Sequence, residues 1–398
     1  MKKDINSLSP EAREIIKAQI TRRSLLVGAG AIGGAAFLAS CSSDSEPSGA
    51  GSPEDVGGTV RWANWTAYLD AKKVDGKRTY PSLNKFIEST GIDVDYLVKY
   101  NDNDEFFALV QENLKAGKDI GYDIVTPTDW MAARWIRLGY AQELDAANIP
   151  NKGNILDTLA NVAFDPDRNY SMTWQSGFAG FCWNKDVIKD DVVSIEQIFA
   201  PANKGRVVVL SEMRDTMGII LQYQGVDISQ PFTEDQFMNG IDYFKKLISD
   251  GFIRQVKGND YLEDMANGDA VAAIGWSGDM FSENLDGKNY GFAIPESGGT
   301  LWSDNMLVAS TSANKANSEA LMNHYYDPAI AAEVAAWVNY ICPVKGAQAE
   351  MEKIDPELAN SPFIFPDAET LSKVKVFRGL DAEEEFNFAA AFQEAIGA

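Results

Sequence analysis

Histidine is nearly missing from this 398-residue chain, which has one, His324. A lone histidine excludes an HExxH zinc site, and a Ser/His/Asp or Cys/His triad would have to use that one residue. No GxSxG and no GxxxxGKS/T occurs, so the usual hydrolase and NTPase machinery is absent as well. Cysteine is scarce too, three in all, which leaves no room for a disulfide framework. Cys182 and Cys342 lie in apolar surroundings (Gly180 to Trp183, Tyr340 to Pro343), which favours two buried thiols over one bridge without excluding the bridge. Positive charge is short: 35 Lys and Arg against 58 Asp and Glu give a formal charge of −23. That field repels nucleic acid and anionic lipid and favours cations, although it also serves plain solubility. What the chain does have is 45% apolar and 11% aromatic residues, enough for a substantial core.

One long uncharged run exists, Ser24 to Ser40, and it follows the pair Arg22-Arg23 and ends before Cys41. Thr21 to Cys41 resembles a bacterial twin-arginine export signal joined to a lipoprotein cleavage and lipidation box. The resemblance implies removal of residues 1–40, a lipid on Cys41, and a protein working on the outer face of the cytoplasmic membrane or in the periplasm. The competing reading is a transmembrane anchor, but the run is short for a ~30 Å hydrocarbon core and is interrupted by glycine and serine. Gly28-Ala-Gly-Ala-Ile-Gly33 matches the dinucleotide fingerprint GxGxxG. It follows no strand and lies in the segment expected to be cut away, so it is set aside. Residues 42–58, rich in Ser, Gly, Pro and acid, read as a flexible tether.

From Thr59 strands and helices alternate. Strands are expected at 59–65, 92–98, 122–126, 171–174, 178–183, 206–210, 270–275 and 290–294. Helices are expected at 81–90, 104–117, 129–138, 215–224, 233–250 (opened by the capping box Thr233-Glu-Asp-Gln236), 260–267, 318–326, 328–339 and 382–396. This pattern predicts α/β layers. Aromatic residues and carboxylates then recur at the ends of four of these strands, in Trp65, Thr66 and Tyr68, in Thr128, Asp129 and Trp130, in Glu212 and Asp215, and in Trp276; Trp302 and Asp304 follow the glycine pair Gly298-Gly299, and Tyr340 ends a helix. Ligands of open α/β sheets bind beyond the carboxyl ends of strands. Ring faces attract an ammonium by about 0.5–2 kcal/mol each, and a carboxylate bonded to one adds about 1.5–3 kcal/mol. Such a box suits an organic cation. Each residue also has an ordinary use: the aromatics as core or rim, Asp215 as a first-turn acid, Glu212 as a solvated turn. Calcium at Asn101 to Glu105 is not adopted, since an EF-hand loop needs glycine at its sixth position, where Phe106 or Phe107 stands.

These residues carry a resemblance. Asn64-Trp-Thr-x-Tyr68, Tyr122-Asp-Ile-Val-Thr-Pro127, Phe164-Asp-Pro166, Asn169-Tyr-Ser171, Trp302-x-Asp304 and Pro366-Asp-Ala-Glu369 together look like the extracellular spermidine/putrescine-binding proteins of ABC importers. The likeness runs from about Thr59 to the C-terminus. It implies a two-lobed periplasmic-binding-protein fold with a hinge and a ligand cleft between the lobes: 59–178 with 305–350, and 179–304 with 351–398. It also implies that Trp65, Thr66, Tyr68, Thr128, Trp130, Glu212, Asp215, Trp276, Trp302, Asp304 and Tyr340 line the ligand site. Ala67 stands where the family often carries an acid. Arg378 stands where the spermidine binder has an amide, and ~5 Å from an ammonium it would repel it by about 3 kcal/mol at an effective dielectric of 20, so either it turns away to pair with an acid, the local alignment slips, or the ligand is not spermidine. The expectation is therefore a lipid-anchored, monomeric substrate-binding protein for a polyamine, putrescine or spermidine, delivered to a membrane permease. No catalysis, cofactor, metal or nucleic acid is expected. Two alternatives stand beside it: the same fold holding an amino acid, opine or other zwitterion through Arg378, and an exported carbohydrate-active enzyme using Glu212 and Asp215.

Overall fold

The computed structural model describes residues 58–397 apart from Asp75, Asn101 and Asp286. The expected export signal, Cys41 and residues 42–57 of the expected tether lie outside the described residues. The strands are β1 (Val60–Trp65), β2 (Lys72–Val74), β3 (Lys77–Thr79), β4 (Val94–Tyr100), β5 (Ile124–Val125), β6 (Ser171–Asn184), β7 (Val207–Leu210), β8 (Ile253–Lys257), β9 (Ala272–Trp276), β10 (Tyr290–Ala293), β11 (Gly299–Val308) and β12 (Val374–Lys375). Only β2 and β3 stand apart, as a short hairpin; the rest form one mixed sheet with the path β4-β1-β5-β11-β6-β9-β7-β8. Two parallel triplets, β4-β1-β5 and β9-β7-β8, flank a central antiparallel pair, β6 and β11. β5 joins β11, and β9 joins β6, both antiparallel. The parallel strands β1, β5, β7 and β9 therefore all end near the middle of the molecule.

The α/β class follows from the sequence pattern, and the differences have physical causes. The expected strands 171–174 and 178–183 are one continuous strand, β6, buried along nearly its whole length. A strand covered on both faces shows no polar alternation, so Gly177, between the two expected strands, looks like a break when it is a close contact. β11 was not expected, because Ser303-Asp304-Asn305 in its middle is a poor strand former. Partners on both sides hold it there, and its pairing with β6 shifts register between Asp304 and Asn305. The helix Met213–Tyr223 starts before Asp215: Glu212 is its N-cap, and Asp215 lies in its first turn. The helix Ser277–Leu285 and the strand β8 were not expected either.

Apolar packing divides with the sheet. One cluster, around Trp62, Trp174, Met306, Tyr325 and Trp337, draws on residues 60–174 and 306–364. A smaller one around Trp135, Phe107 and Leu307 adjoins it. The cluster around Phe181, Val208, Ile220, Phe244, Ile274 and Phe388 draws on residues 179–290 and 380–392. Each large side chain buried in these clusters contributes roughly 1.5–3 kcal/mol. Trp62 sits edge-on to Trp174 at 4.8 Å and to Tyr96 at 5.2 Å, which anchors β1. Cys182 and Cys342 are buried free thiols. His324 lies under Phe86 and Tyr325 with Nε2 3.0 Å from the Ser82 carbonyl, a packing role. Among the described residues, no helix is long and apolar enough to cross a membrane.

Candidate functional site

The strand ends open into a cleft of about 610 Å³. Its walls include Trp65, Thr66, Tyr68, Thr128, Trp130, Glu212, Asp215, Trp276, Trp302, Asp304 and Tyr340, so the structure gathers these eleven sequence-predicted positions in one place. β1 delivers Trp65 at its last residue, and the turn after it carries Thr66 to Tyr68, with Ala67 in the left-handed region at φ 52. β5 leads to Thr128, the N-cap of the helix Asp129–Arg137. β7 leads to Glu212, β9 ends on Trp276, and β11 places Trp302 and Asp304 two residues apart on one face.

Arg378 is not on these walls, although Val376 and Phe377 are. Its guanidinium donates to both carboxylate oxygens of Glu384, at 2.8 and 2.6 Å, and lies 4.3 Å from the centre of the Phe232 ring. Glu384, in the first turn of the helix Ala382–Ile396, is six residues away, and a bidentate pair over an aromatic face holds the arginine outward. The expectation that Arg378 faces the ligand position is corrected accordingly.

Asp304 is the most closely held acid. Tyr68 donates to its Oδ2 at 2.7 Å, and Thr128 Oγ1 donates to its Oδ1 at 2.6 Å. Thr128 is itself gripped by Asn103 through side chain and backbone. Burial still outweighs these bonds and pushes the Asp304 carboxyl up to about 7. Asp215 accepts from Thr300 Oγ1 at 2.6 Å and from the Trp276 indole at 2.8 Å, and burial holds it up at about 6. Glu212 accepts from the Arg214 backbone N–H at 3.4 Å; desolvation raises it to about 8, against the pull of the nearby Arg214 charge. Asp129, bonded by Asn305 at 2.7 Å, is raised by burial to about 6. Carboxylates raised this far by desolvation gain most from an arriving cation.

Several wall residues were not among the predicted site positions: Asp102, Asp129, Asp260, Glu263, Asp279, Glu283 and Arg214. Asp279 accepts from Tyr340 at 3.1 Å and Tyr261 at 3.0 Å, so a helix that was not expected supplies an acid that was not expected. Asp102 was visible only within the rejected calcium motif, and it caps the helix Asn103–Lys115. With Glu212, Asp215 and Asp304 the walls carry nine carboxyl side chains and one guanidinium, Arg214. Eight aromatic rings complete them: Trp65, Tyr68, Tyr100, Trp130, Trp276, Trp302, Tyr340 and Phe377. Two glycines shape this lining. A Cβ at Gly177 would run into the Trp302 indole, and one at Gly278 would come within 2.6 Å of the Tyr340 ring. Trp302 and Tyr340 pack at 5.1 Å with planes 70° apart because both backbones lie flush. Among the described residues, no group of three or more His, Cys, Asp or Glu side chains is placed to hold a metal ion.

Residues 81–363 match the family described as bacterial extracellular solute-binding protein. The chain is similar to the spermidine/putrescine-binding periplasmic protein of Salmonella typhimurium, 26% identical over 318 residues, covering 79% of this chain and 85% of that one. It is likewise 26% identical over 335 residues to the putrescine-binding periplasmic protein of Escherichia coli, covering 79% and 85%. Among solved structures, the spermidine/putrescine ABC transporter substrate-binding protein of Streptococcus pneumoniae superposes with a TM-score of 0.69 at 22% identity, covering 85% of this chain and 98% of that one. That likeness places the fold among periplasmic binding proteins.

Proposed function

The chain belongs to the bacterial extracellular solute-binding protein family, and from that membership we propose that it captures a polyamine, putrescine or spermidine, for an ABC importer. The observation that carries this reading is the wall of nine carboxyls and eight aromatic rings against one guanidinium. Trp65, Trp276, Trp302 and Tyr340 would sandwich the methylenes, while Glu212, Asp215 and Asp304 would neutralise the ammonium groups. At about 1.5–3 kcal/mol per charged hydrogen bond and 0.5–2 kcal/mol per ring face, two or three of each reach the ~8 kcal/mol of a micromolar site after association costs. The relatives bearing spermidine and putrescine in their names support that choice of ligand.

The capture mechanism we propose is closure of two lobes, 59–178 with 305–364 and 179–304 with 365–398. Residues 351–364 go with the first lobe because Met351, Ala359 and Ile364 pack in its core. β6 and β11 run through both lobes and supply the hinge strands. The closed form presents a surface to a membrane permease. A lipid on Cys41 and the tether after it would hold the monomer near that partner. No covalent chemistry is proposed. The zwitterion alternative leaned on Arg378, which Glu384 occupies. The glycosidase alternative keeps the pair Glu212 and Asp215, and hydrolysis of a glycoside panel would revive it.

A mass spectrum of small molecules carried through native purification tests the ligand class. Putrescine or spermidine at stoichiometric occupancy is the expected result. A sugar or an amino acid in their place would replace the reading.

A further inference from the structure

A cluster of charges crosses the cleft outside the wall of acids. Glu385, in the first turn of the helix Ala382–Ile396, is 11% exposed and meets three guanidiniums: Arg134 at 3.0 Å, Arg214 at 3.3 Å and Arg137 at 3.4 Å. Arg134 and Arg137 belong to the helix Asp129–Arg137, whose Trp135 packs in one core with Phe107 and Leu307 on the β4-β1-β5 side. Arg214 and Glu385 belong to helices on the β9-β7-β8 side; Met213, Met217 and Phe388 from those helices share one core there. Two members of this neighbourhood also wall the cleft. Arg214 does so directly, and its guanidinium carbon lies 4.1 Å from the centre of the Trp130 ring, which is itself a wall residue. Arg134 approaches the same ring at 5.0 Å and also pairs with Asp104 at 2.7 Å.

We propose that Glu385 is a positioning residue for capture: it latches the two sides of the cleft together through Arg134 and Arg137, and through Arg214 it fixes the Trp130 wall against the ligand. Exposed ion pairs contribute little. This cluster differs because Glu385 and Arg214 are both about nine-tenths buried at the side chain, so removing the carboxylate leaves buried Arg214 to the nearby Glu212 charge and Arg134 to Asp104, while half-exposed Arg137 keeps its water. The stacked Arg214 and Trp130 can keep their places only while the two helices stay apposed. Opening the cleft separates Glu385 from Arg134 and Arg137 together and frees Trp130 from Arg214. Ligand retention and the latch are thereby one event. The latch does not require the ligand to be a polyamine, although its kinetic test uses one.

The test is Glu385→Gln in the full chain, read in two ways. Stopped-flow tryptophan fluorescence with putrescine should show dissociation faster by roughly tenfold or more and association changed by less than about threefold, because losing a buried charge partner acts on release. Small-angle scattering of the ligand-free protein should show a larger radius of gyration than wild type, and this arm holds whether or not putrescine binds. Arg137→Gln, which removes a half-exposed and longer contact, should give the same changes in smaller measure and guards against a folding defect in the first variant. In the double variant Glu385→Gln/Arg134→Gln the effects should not add, since both remove one interaction. An unchanged dissociation rate together with an unchanged scattering profile in Glu385→Gln would overturn the latch. Wild type that binds no putrescine while Glu385→Gln still expands would keep the latch and remove the polyamine.

Discussion

Asp304 and Glu212 face one cleft from opposite halves of the sheet and are held very differently. Asp304 sits between two hydroxyl donors, Tyr68 and Thr128, at 2.7 and 2.6 Å. Glu212 accepts a 3.4 Å bond from a backbone N–H and leans on the Arg214 charge. Asp304 is thus fixed in direction before any ligand arrives, with its cost of ordering already met by the fold. Glu212 is half-buried, so the walls of the cleft rather than a sealed core supply the desolvation that raises it. The contrast teaches that a binding acid can be prepared by geometry or by deprivation. The first kind orients a cation; the second makes its arrival strongly favourable.

The largest expected effect breaks the oriented side. Asp304→Asn should weaken putrescine by roughly 10- to 150-fold in titration calorimetry, the equivalent of about 1.5–3 kcal/mol. An affinity within twofold of wild type would remove Asp304 from the site.

Next comes pH, which acts on both sides. Asp304 and Glu212 are raised to about 7 and about 8 in the ligand-free cleft, so each is increasingly protonated as pH falls through those values, and a cation must displace that proton. Putrescine affinity should therefore fall at least about tenfold between pH 8.5 and pH 6. Glu212→Gln should flatten the profile above about pH 7 and roughly halve its slope below, where Asp304 alone still titrates. A flat wild-type profile would contradict the desolvation argument.

Stability moves the other way. A carboxyl raised above its unfolded value favours the folded state at low pH, and that contribution is lost as pH rises through about 7. Asp304→Asn removes the charge that causes the loss. Without ligand the variant should melt above wild type at pH 8 and near it at pH 5, by calorimetry. A lower melting temperature at pH 8 would mean that its bonds to Tyr68 and Thr128 outweigh burial.

The smallest effect is expected from Arg378→Gln. Putrescine affinity should stay within twofold, because the guanidinium is committed to Glu384 and Phe232, and stability should drop by only about 1 kcal/mol. An affinity gain beyond tenfold would return Arg378 to the cleft.

How much of this could be read from the sequence depends on the range of the cause. Helices with local signals, such as Thr233 to Ser249 with its capping box, were legible because the determinants sit within one turn. Eight of the eleven predicted wall residues were legible because the parallel strands β1, β5, β7 and β9 must end somewhere, and aromatics and acids after such strands stand out; Trp302, Asp304 and Tyr340 came from the motif resemblance instead. β11 was not, since Ser303, Asp304 and Asn305 are strand residues only through β5, β6 and the network in which Arg168 donates to Asn305 at 2.7 Å and Asn305 donates to Asp129. Arg378 went astray because its partner Glu384 lies in a helix turn whose orientation no local pattern records. Asp279 and Glu385 carry no motif at all; only the tertiary fold makes one a wall and the other a crossing point.

The central claim is that this cleft binds an organic dication by exchanging protons for it. Titration calorimetry of the wild-type protein with putrescine at pH 8, repeated in two buffers of different ionisation enthalpy, tests it most directly. The account predicts micromolar or tighter binding with a heat that differs between buffers in the direction of proton release. No binding of putrescine or spermidine, or binding whose heat is the same in both buffers, would contradict it.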